Sequence, residues 1–292
     1  MTVVFHRLRS ARARPPSAFA WWLAGAIVAA CTPIAAQAQD ANRLVPFSRS
    51  TDGQPPAPWR FTTLPHKPPT RFDVTTQPDG QRVLKVEADQ SYGNLVHPTQ
   101  VALGPATSLA WRWRVDTFVQ GADLRSRAGD DGAAKLCVFF DLPVDRLPFG
   151  ERARLALARS STGEDIPSEA LCYVWDHKEA RDTLLVNAFT QRMRMIVLES
   201  GAAAATVAGS GSGLNSGNWV AERRNLLADY RKAFGNEAGD TLPDVVAVAV
   251  SADADNTHGH GLAYFADVDL RGPLAVHGAA ALPANGAPAI AP

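Results

Sequence analysis

Cysteine is scarce in this 292-residue chain. Three Cys and seven His exclude a disulfide-dense mini-scaffold and a multi-zinc protein. An excess of charge of either sign is missing too, because 29 Lys and Arg balance 29 Asp and Glu. A nucleic-acid-binding domain normally carries a basic surplus, so no nucleic-acid partner is expected. The apolar run from Ala18 to Ala30 holds 13 residues, short of the roughly 20 that span a bilayer. Gly-x-Ser-x-Gly, His-Glu-x-x-His, a Walker loop and Cys-x-x-Cys are all absent. Conventional esterase, zincin, nucleotidase and thioredoxin-like readings are disfavoured accordingly. What is present is 46% hydrophobic and 20% charged residues, enough to bury a sizeable core.

Residues 1–38 carry Arg7, Arg9, Arg12 and Arg14 and no acid, then the apolar run, then Ala36-Gln37-Ala38. A basic start, a short apolar stretch and a small-x-small site describe a secretory signal peptide. Pro33 ends the apolar helix and leaves an extended segment before the cleavage site. Val28-Ala29-Ala30-Cys31 competes with that site, since it resembles a lipoprotein cleavage box that would leave Cys31 lipidated and the protein membrane-anchored. Cleavage after Ala38 is the expected outcome, giving a periplasmic or secreted protein with no membrane span. Removing residues 1–38 leaves 25 basic against 29 acidic residues. At the far end, 272–292 is rich in Ala, Pro and Gly without Asp, Glu, Lys or Arg, and reads as a flexible tail. Residues 40–271 are therefore expected to form one domain.

Within that body, short β-type runs are broken by Gly, Pro, Asn and Asp clusters. Leu109-Ala-Trp-Arg-Trp-Arg-Val115 alternates most clearly: Leu109, Trp111, Trp113 and Val115 share the core face, and Arg112 and Arg114 the other. Further strands are expected at 70–74, 82–88, 135–140, 171–175, 192–198, 245–251 and 261–270. Asn218 to Phe234 reads as a helix, with Trp219, Leu226, Leu227, Tyr230 and Phe234 on one side, Asn218 as cap and Gly235 as stop. Ala202 to Gly217 is low in complexity and reads as a loop. Many strands with little helix between them predict an all-β fold, an antiparallel β-sandwich with one packed helix near 218–234.

The order of several motifs resembles the domain of unknown function 3047 family. They are Trp111-Arg-Trp-Arg-Val115, Ala122-Asp-Leu124, Gly129-Asp-Asp131, Val138-Phe-Phe140 and Tyr173-Val-Trp175, then Asp229-Tyr230 with Phe234-Gly235, Asp253-Ala-Asp-Asn-Thr257 and Tyr264-Phe265. Where the family pattern has Arg soon after the paired aspartates, this chain has Lys135, which keeps the charge but loses the bidentate fork. The resemblance covers roughly residues 45–271 and implies exported bacterial proteins without an assigned activity. It implies a location and a fold similar to the jelly-roll sandwiches of carbohydrate-binding modules, and no reaction.

Six features are candidates for chemistry. Asp130 and Asp131, in a loop between strands, can converge with Arg112 or Arg114 and act as acid/base groups or grip a ligand; a loop salt bridge is the structural alternative. Asp253, Asp255 and Asn256 follow an apolar strand and can gather oxygens around calcium, or simply form a turn. His258 and His260 add imidazoles beside them. Trp175 ends a strand and can stack on a sugar ring, although most aromatics must be core. Arg192 and Arg194 repeat the same-face arrangement of Arg112 and Arg114. Cys137 and Cys172 lie inside strands and form a disulfide if those strands are neighbours in register; otherwise both are buried thiols. These features lead to an exported protein binding a saccharide or an acidic small molecule through Arg112, Arg114, Asp130, Asp131 and Trp175. The alternatives are a glycan hydrolase or lyase using Asp130 or Asp131, and an envelope interaction protein without a small-molecule ligand.

Overall fold

Residues 43–162, 166–201, 219–235, 237 and 242–275 are described by the computed structural model. The expected signal peptide, Cys31, the low-complexity stretch 202–217 and the tail from 276 onward lie outside the described residues.

Twelve strands are found among the described residues: β1 (Arg60–Thr62), β2 (Arg71–Thr76), β3 (Arg82–Asp89), β4 (Tyr92–Ala102), β5 (Ser108–Thr117) and β6 (Gly132–Asp141). They continue with β7 (Glu169–Asp176), β8 (Leu184–Val186), β9 (Met193–Ser200), β10 (Val220–Asn225), β11 (Asp244–Asp253) and β12 (His260–Arg271). Two sheets result, one of seven strands in the order β1-β4-β11-β6-β7-β9-β8 and one of five in the order β10-β5-β12-β3-β2. All strand pairs are antiparallel except β7 with β9. The all-β sandwich expected from the alternation is the observed fold.

Side-chain alternation places the core between the sheets. Trp111 and Trp113 of β5 are 2% and 0% exposed and meet Tyr173 and Trp175 of β7, with ring centroids 5.2 and 5.6 Å apart. Leu84, Val86, Leu136, Val138, Phe140, Val248, Val250 and Phe265 fill the space around them. Offset and edge-on rings add to the free energy of burying their apolar area. The seven-stranded sheet is buried on its outer face as well, where Val96, Cys137, Phe139, Cys172, Val174, Met195, Val197, Ala247 and Ala249 form a second cluster. That two-sided burial explains why Leu136-Cys-Val-Phe-Phe140 and Val245-Val-Ala-Val-Ala-Val250 are continuous apolar runs rather than alternating ones.

The helical segments differ from expectation in two places. The helix expected from Asn218 starts eight residues later, as α2 (Leu226–Phe234), where Asn225 Oδ1 accepts the Ala228 N–H at 2.9 Å. Val220–Asn225 instead forms the edge strand β10, whose inward Val220, Glu222 and Arg224 alternate against β5. Pairing with the tryptophan strand outweighs the local helical period. Gly235, at φ +61, ends the helix as expected. α2 lies over the core: Tyr230 packs 5.0 Å from Phe140 and donates to Glu169, while Tyr173 donates to Asp229. A second helix, α1 (Phe149–Thr162), is exposed at Phe149 and Leu157 and was not expected from the apolar pattern. Neither helix is long and apolar enough to cross a membrane. Leu274, from the expected tail, forms a bridge to Val101.

Candidate functional site

Polar residues interrupt three central strands on the outer face of the seven-stranded sheet. Tyr92 and Asn94 lie on β4, Ser251 and Asp253 on β11, and Lys135 on β6. Register aligns them: Asn94 stands opposite Ser251, which stands opposite Lys135, and Tyr92 opposite Asp253, which stands opposite Gly132. Polar groups in an otherwise apolar layer carry a desolvation cost unless they are paired. Here the pairing is partly complete.

Lys135 Nζ lies 2.9 Å from both carboxylate oxygens of Asp253 and 4.0 Å from Asp130 Oδ1. Asp253 Oδ1 also accepts the Gly132 N–H at 2.7 Å. A Cβ on Gly132 would sit 2.8 Å from Lys135 Cε, so the absence of a side chain there lets the lysine stem fold across to Asp253. Burial works against the Lys135 charge, but Asp253 and then Asp130 outweigh it and hold the ammonium above the usual lysine range. Burial pushes the Asp253 carboxyl up to about 7; Lys135 pulls it back, and Asp130 and Asp131 add to the rise.

The two paired aspartates have different environments. Asp131 is fully buried and accepts four hydrogen bonds, from the Asn256 and Thr257 backbone N–H groups, Asn256 Nδ2 and Thr257 Oγ1, at 2.6–3.2 Å. It ties the start of β6 to the turn between β11 and β12. Asp130 is 6% exposed, its Oδ2 accepts from Asn187 Nδ2 at 2.6 Å, and its Oδ1 has no hydrogen-bond donor. Asp255 Oδ2 is ion-paired with Lys67, while its Oδ1 is likewise buried without a donor.

Asp130, Lys135, Asp253, Asp255 and Asn256 line one cavity of about 190 Å³ together with Lys67, Tyr92, Asn187, Ser251 and the apolar Leu64, Phe189 and Met193. Cys137 contributes to the same wall, joined by a disulfide to Cys172 directly across β6 and β7 with a Cα–Cα distance of 4.0 Å. The two acidic motifs, 130–131 and 253–256, therefore form one site although more than a hundred residues separate them. Sequence reasoning gives no reason to place Lys67, Asn187 or Ser251 in this site, whereas Tyr92 is one of the aromatics with a polar handle that can stack on a sugar ring. For Ser251, as for Tyr92, the signal is a polar side chain at every second position within an apolar strand, visible at Tyr92-Gly-Asn94 and Ser251-Ala-Asp253, whereas Lys67 and Asn187 lie in loops and carry no such pattern.

The expected convergence of Asp130 and Asp131 with Arg112 and Arg114 does not occur. Those arginines lie on β5, in the five-stranded sheet, and are outside the cavity. Arg112 donates to Gln81 at 2.6 Å; Arg114 pairs with Asp116 at 2.7 Å and stacks over Tyr264 and Trp219. Side chains on opposite layers of a sandwich cannot share a ligand through the core between them. Trp175 is also removed from the site: it is 3% exposed, packs on Trp113 and donates its indole N–H to Gly201. Its position near a strand end does not bring it to the surface, because Tyr173 and Trp175 both face inward. Arg192 and Arg194 pair with Glu237 beside α2, and Arg192 also with Glu169. His260 sits by Glu87 of β3, in the other sheet from Asp253.

As for a cation, Asp253 is paired with Lys135, Asp255 with Lys67, and Asn256 turns its Nδ2 to Asp131. Among the described residues, no group of three or more His, Cys, Asp or Glu is arranged to hold a metal ion. A larger, shallower groove of about 390 Å³ runs past Trp59, Phe61, Arg71 and Phe72, but none of its lining residues holds an unpaired buried polar atom.

Comparisons with known proteins give a family and little more. A solved structure titled as the structural analysis of an exo-beta-agarase matches at 10% identity and a TM-score of 0.30, over 81% of this chain. The chain spans only 25% of that one. No curated protein matches. A family described as "Protein of unknown function (DUF3047)" matches residues 57–269, most of the chain and nearly all of both sheets. The chain belongs to the DUF3047 family.

Proposed function

We propose that this is an exported protein that binds a small carbohydrate-like ligand in the cavity between Asp130, Lys135, Asp253 and Asp255. The observation that carries the reading is that Asp130, a residue of the cavity wall, keeps a buried carboxylate oxygen, Oδ1, with no donor of its own. A buried acceptor without a partner costs about 1–3 kcal/mol, and a ligand hydroxyl that reaches it recovers that cost. The remaining wall offers carboxylates, ammoniums, two amides and hydroxyls beside Phe189 and Tyr92, the mixture that a polyhydroxylated ring with one apolar face requires. At about 190 Å³ the cavity lies below the roughly 300–1,000 Å³ of drug-sized pockets, which suits a single sugar residue. Three carboxylates against two ammoniums disfavour an acidic ligand here. Export rests on the N-terminal signal pattern and on the Cys137–Cys172 disulfide, which suits an oxidising compartment.

A thermal-shift and calorimetric screen against cell-envelope saccharides tests this reading. At least one saccharide is expected to raise the melting temperature, and Asp130→Asn and Asn187→Ala to abolish the rise, while Arg112→Gln leaves it intact. A folded protein that responds to none of them overturns the reading.

One observation favours catalysis at the same site. Asp253, held near 7 and buried beside Asp130, is poised to exchange a proton at neutral pH, as a glycan hydrolase or lyase needs. Release of reducing sugar from an envelope polysaccharide, lost in both Asp253→Asn and Asp130→Asn, supports that reading; saccharide binding without turnover rules against it.

A further inference from the structure

The unpaired groups on the cavity wall share one polarity. Of the lining residues, Asp130 and Asp255 hold the buried side-chain atoms without a hydrogen-bond partner, and both atoms are carboxylate oxygens. Among the described residues, no unpaired buried side-chain donor lines the cavity. Next to Ser251 on the adjoining strand, Asn94 Oδ1 is a further buried acceptor without a donor. The charges point the same way. Asp130, Asp253 and Asp255 face Lys67 and Lys135, and Asp131, next to Asp130 in sequence, has its charge taken up by turn N–H and O–H donors. Lys135 is committed to Asp253 and Lys67 to Asp255, which leaves Asp130 with a neutral amide, Asn187, and a lysine 4.0 Å away.

We infer that the cavity selects a ligand bearing a protonated primary amine, with the ammonium directed at Asp130 Oδ1 and Asp255 Oδ1. This rests on the carbohydrate reading above and names its class: an amino sugar with a free amine. A neutral hydroxyl donates one hydrogen bond; an ammonium donates three and adds charge, and charge-assisted bonds are roughly twice as strong. A divalent metal ion fits less well. Calcium takes six to eight oxygens, whereas two carboxylate oxygens are unpaired here and two ammoniums stand beside them. N-acetylation removes both the charge and two of the donors and adds bulk, so acetylated sugars are discriminated against at the same site.

Calorimetric titration of the purified chain distinguishes the possibilities. The probes are chitosan tetrasaccharide with glucosamine, chitin tetrasaccharide with glucose, ethanolamine, and calcium chloride. The amine-bearing sugars are expected to bind about ten- to a hundredfold more tightly than their acetylated or neutral counterparts, the range of a charge-assisted hydrogen bond. Asp130→Asn keeps the side-chain shape and is expected to erase that preference; Asp255→Asn, nearer the surface, repeats the test should the first variant fold poorly. Equal affinity for amine and acetylated sugars overturns the inference and leaves the carbohydrate reading standing. Ethanolamine binding as tightly as glucosamine supports the amine site and removes the sugar. Calcium binding in place of the amines, or no binding by any probe, overturns the inference.

Discussion

Replacing Lys135 with methionine removes the only ammonium among the described residues that touches Asp253, at 2.9 Å from each of its oxygens, and leaves that carboxylate with the Gly132 backbone donor. Deleting one partner of a buried ion pair costs about 3–5 kcal/mol because an uncompensated charge stays behind. Counting the two lost charge-assisted bonds at about 1.5–3 kcal/mol each gives a similar range. For a domain of this size each kcal/mol lowers the melting temperature by about 2–4 °C, so a drop of about 10 °C is expected. The pH dependence carries more information than the drop itself. Burial already raises Asp253 from 3.8 to about 7, so its cost to stability is absent below its unfolded pKa and grows as pH climbs. Without Lys135 the folded-state pKa moves higher still. The deficit of Lys135→Met against the parent therefore widens above pH 7 and is smaller at pH 6. Melting curves from pH 5 to 9, followed by tryptophan fluorescence, read this directly. The double variant Lys135→Met/Asp253→Asn is expected to recover at least half of the loss. A drop below about 3 °C that is flat with pH would refute the idea that Lys135 holds the carboxylate in place.

Other perturbations address the surrounding frame. Asp131→Ala strands the two backbone N–H groups of Asn256 and Thr257 and is expected to cost about 3 kcal/mol, measured by urea unfolding, whereas a ligand-gripping role without structural duty would leave stability unchanged. Cys137→Ser/Cys172→Ser opens a cross-link between residues 35 apart and is expected to destabilise by about 4 kcal/mol in the chain-entropy model; an unchanged melting temperature contradicts the disulfide's stabilising role. Glu222, raised to about 7 by burial and then by the charge of Glu199, costs stability progressively from pH 4.5 upward. Glu222→Gln is thus expected to melt higher than the parent above pH 7 and alike near pH 4.5, and the reverse order in a pH series would show that the carboxylate is favourably held.

Period-two patterning in the strands made the layers legible. Leu109, Trp111 and Trp113 face inward as their alternation with Arg112 and Arg114 requires, and the apolar runs at 136–140 and 245–250 mark strands buried on both faces. The edge strand β10 was hidden because Trp219, Leu226, Tyr230 and Phe234 happen to fall at helical spacing, while pairing with β5 is a tertiary fact. α1 was hidden for the opposite reason: it is a polar, Arg- and Ala-rich segment with few apolar positions from which to read a buried face. In the site, chemical character was readable and proximity was not. Asp130 and Asp253 each stood out, yet only the β11–β6 pairing brings them together, and the same topology sends Arg112 and Arg114 to the other layer. Lys135 departs from the family pattern in sequence, but its role as counter-charge to Asp253 depends on the β11–β6 register.

The binding face can be tested by a crystal structure of the protein soaked with glucosamine or its short oligomers. A ring seated among Asp130, Asn187, Ser251 and Asp255, with its amine toward the two carboxylates, is the expected result. Sugar found instead against Arg112, Arg114 and Tyr264 on the five-stranded sheet, with the Asp130 cavity unchanged, would contradict it.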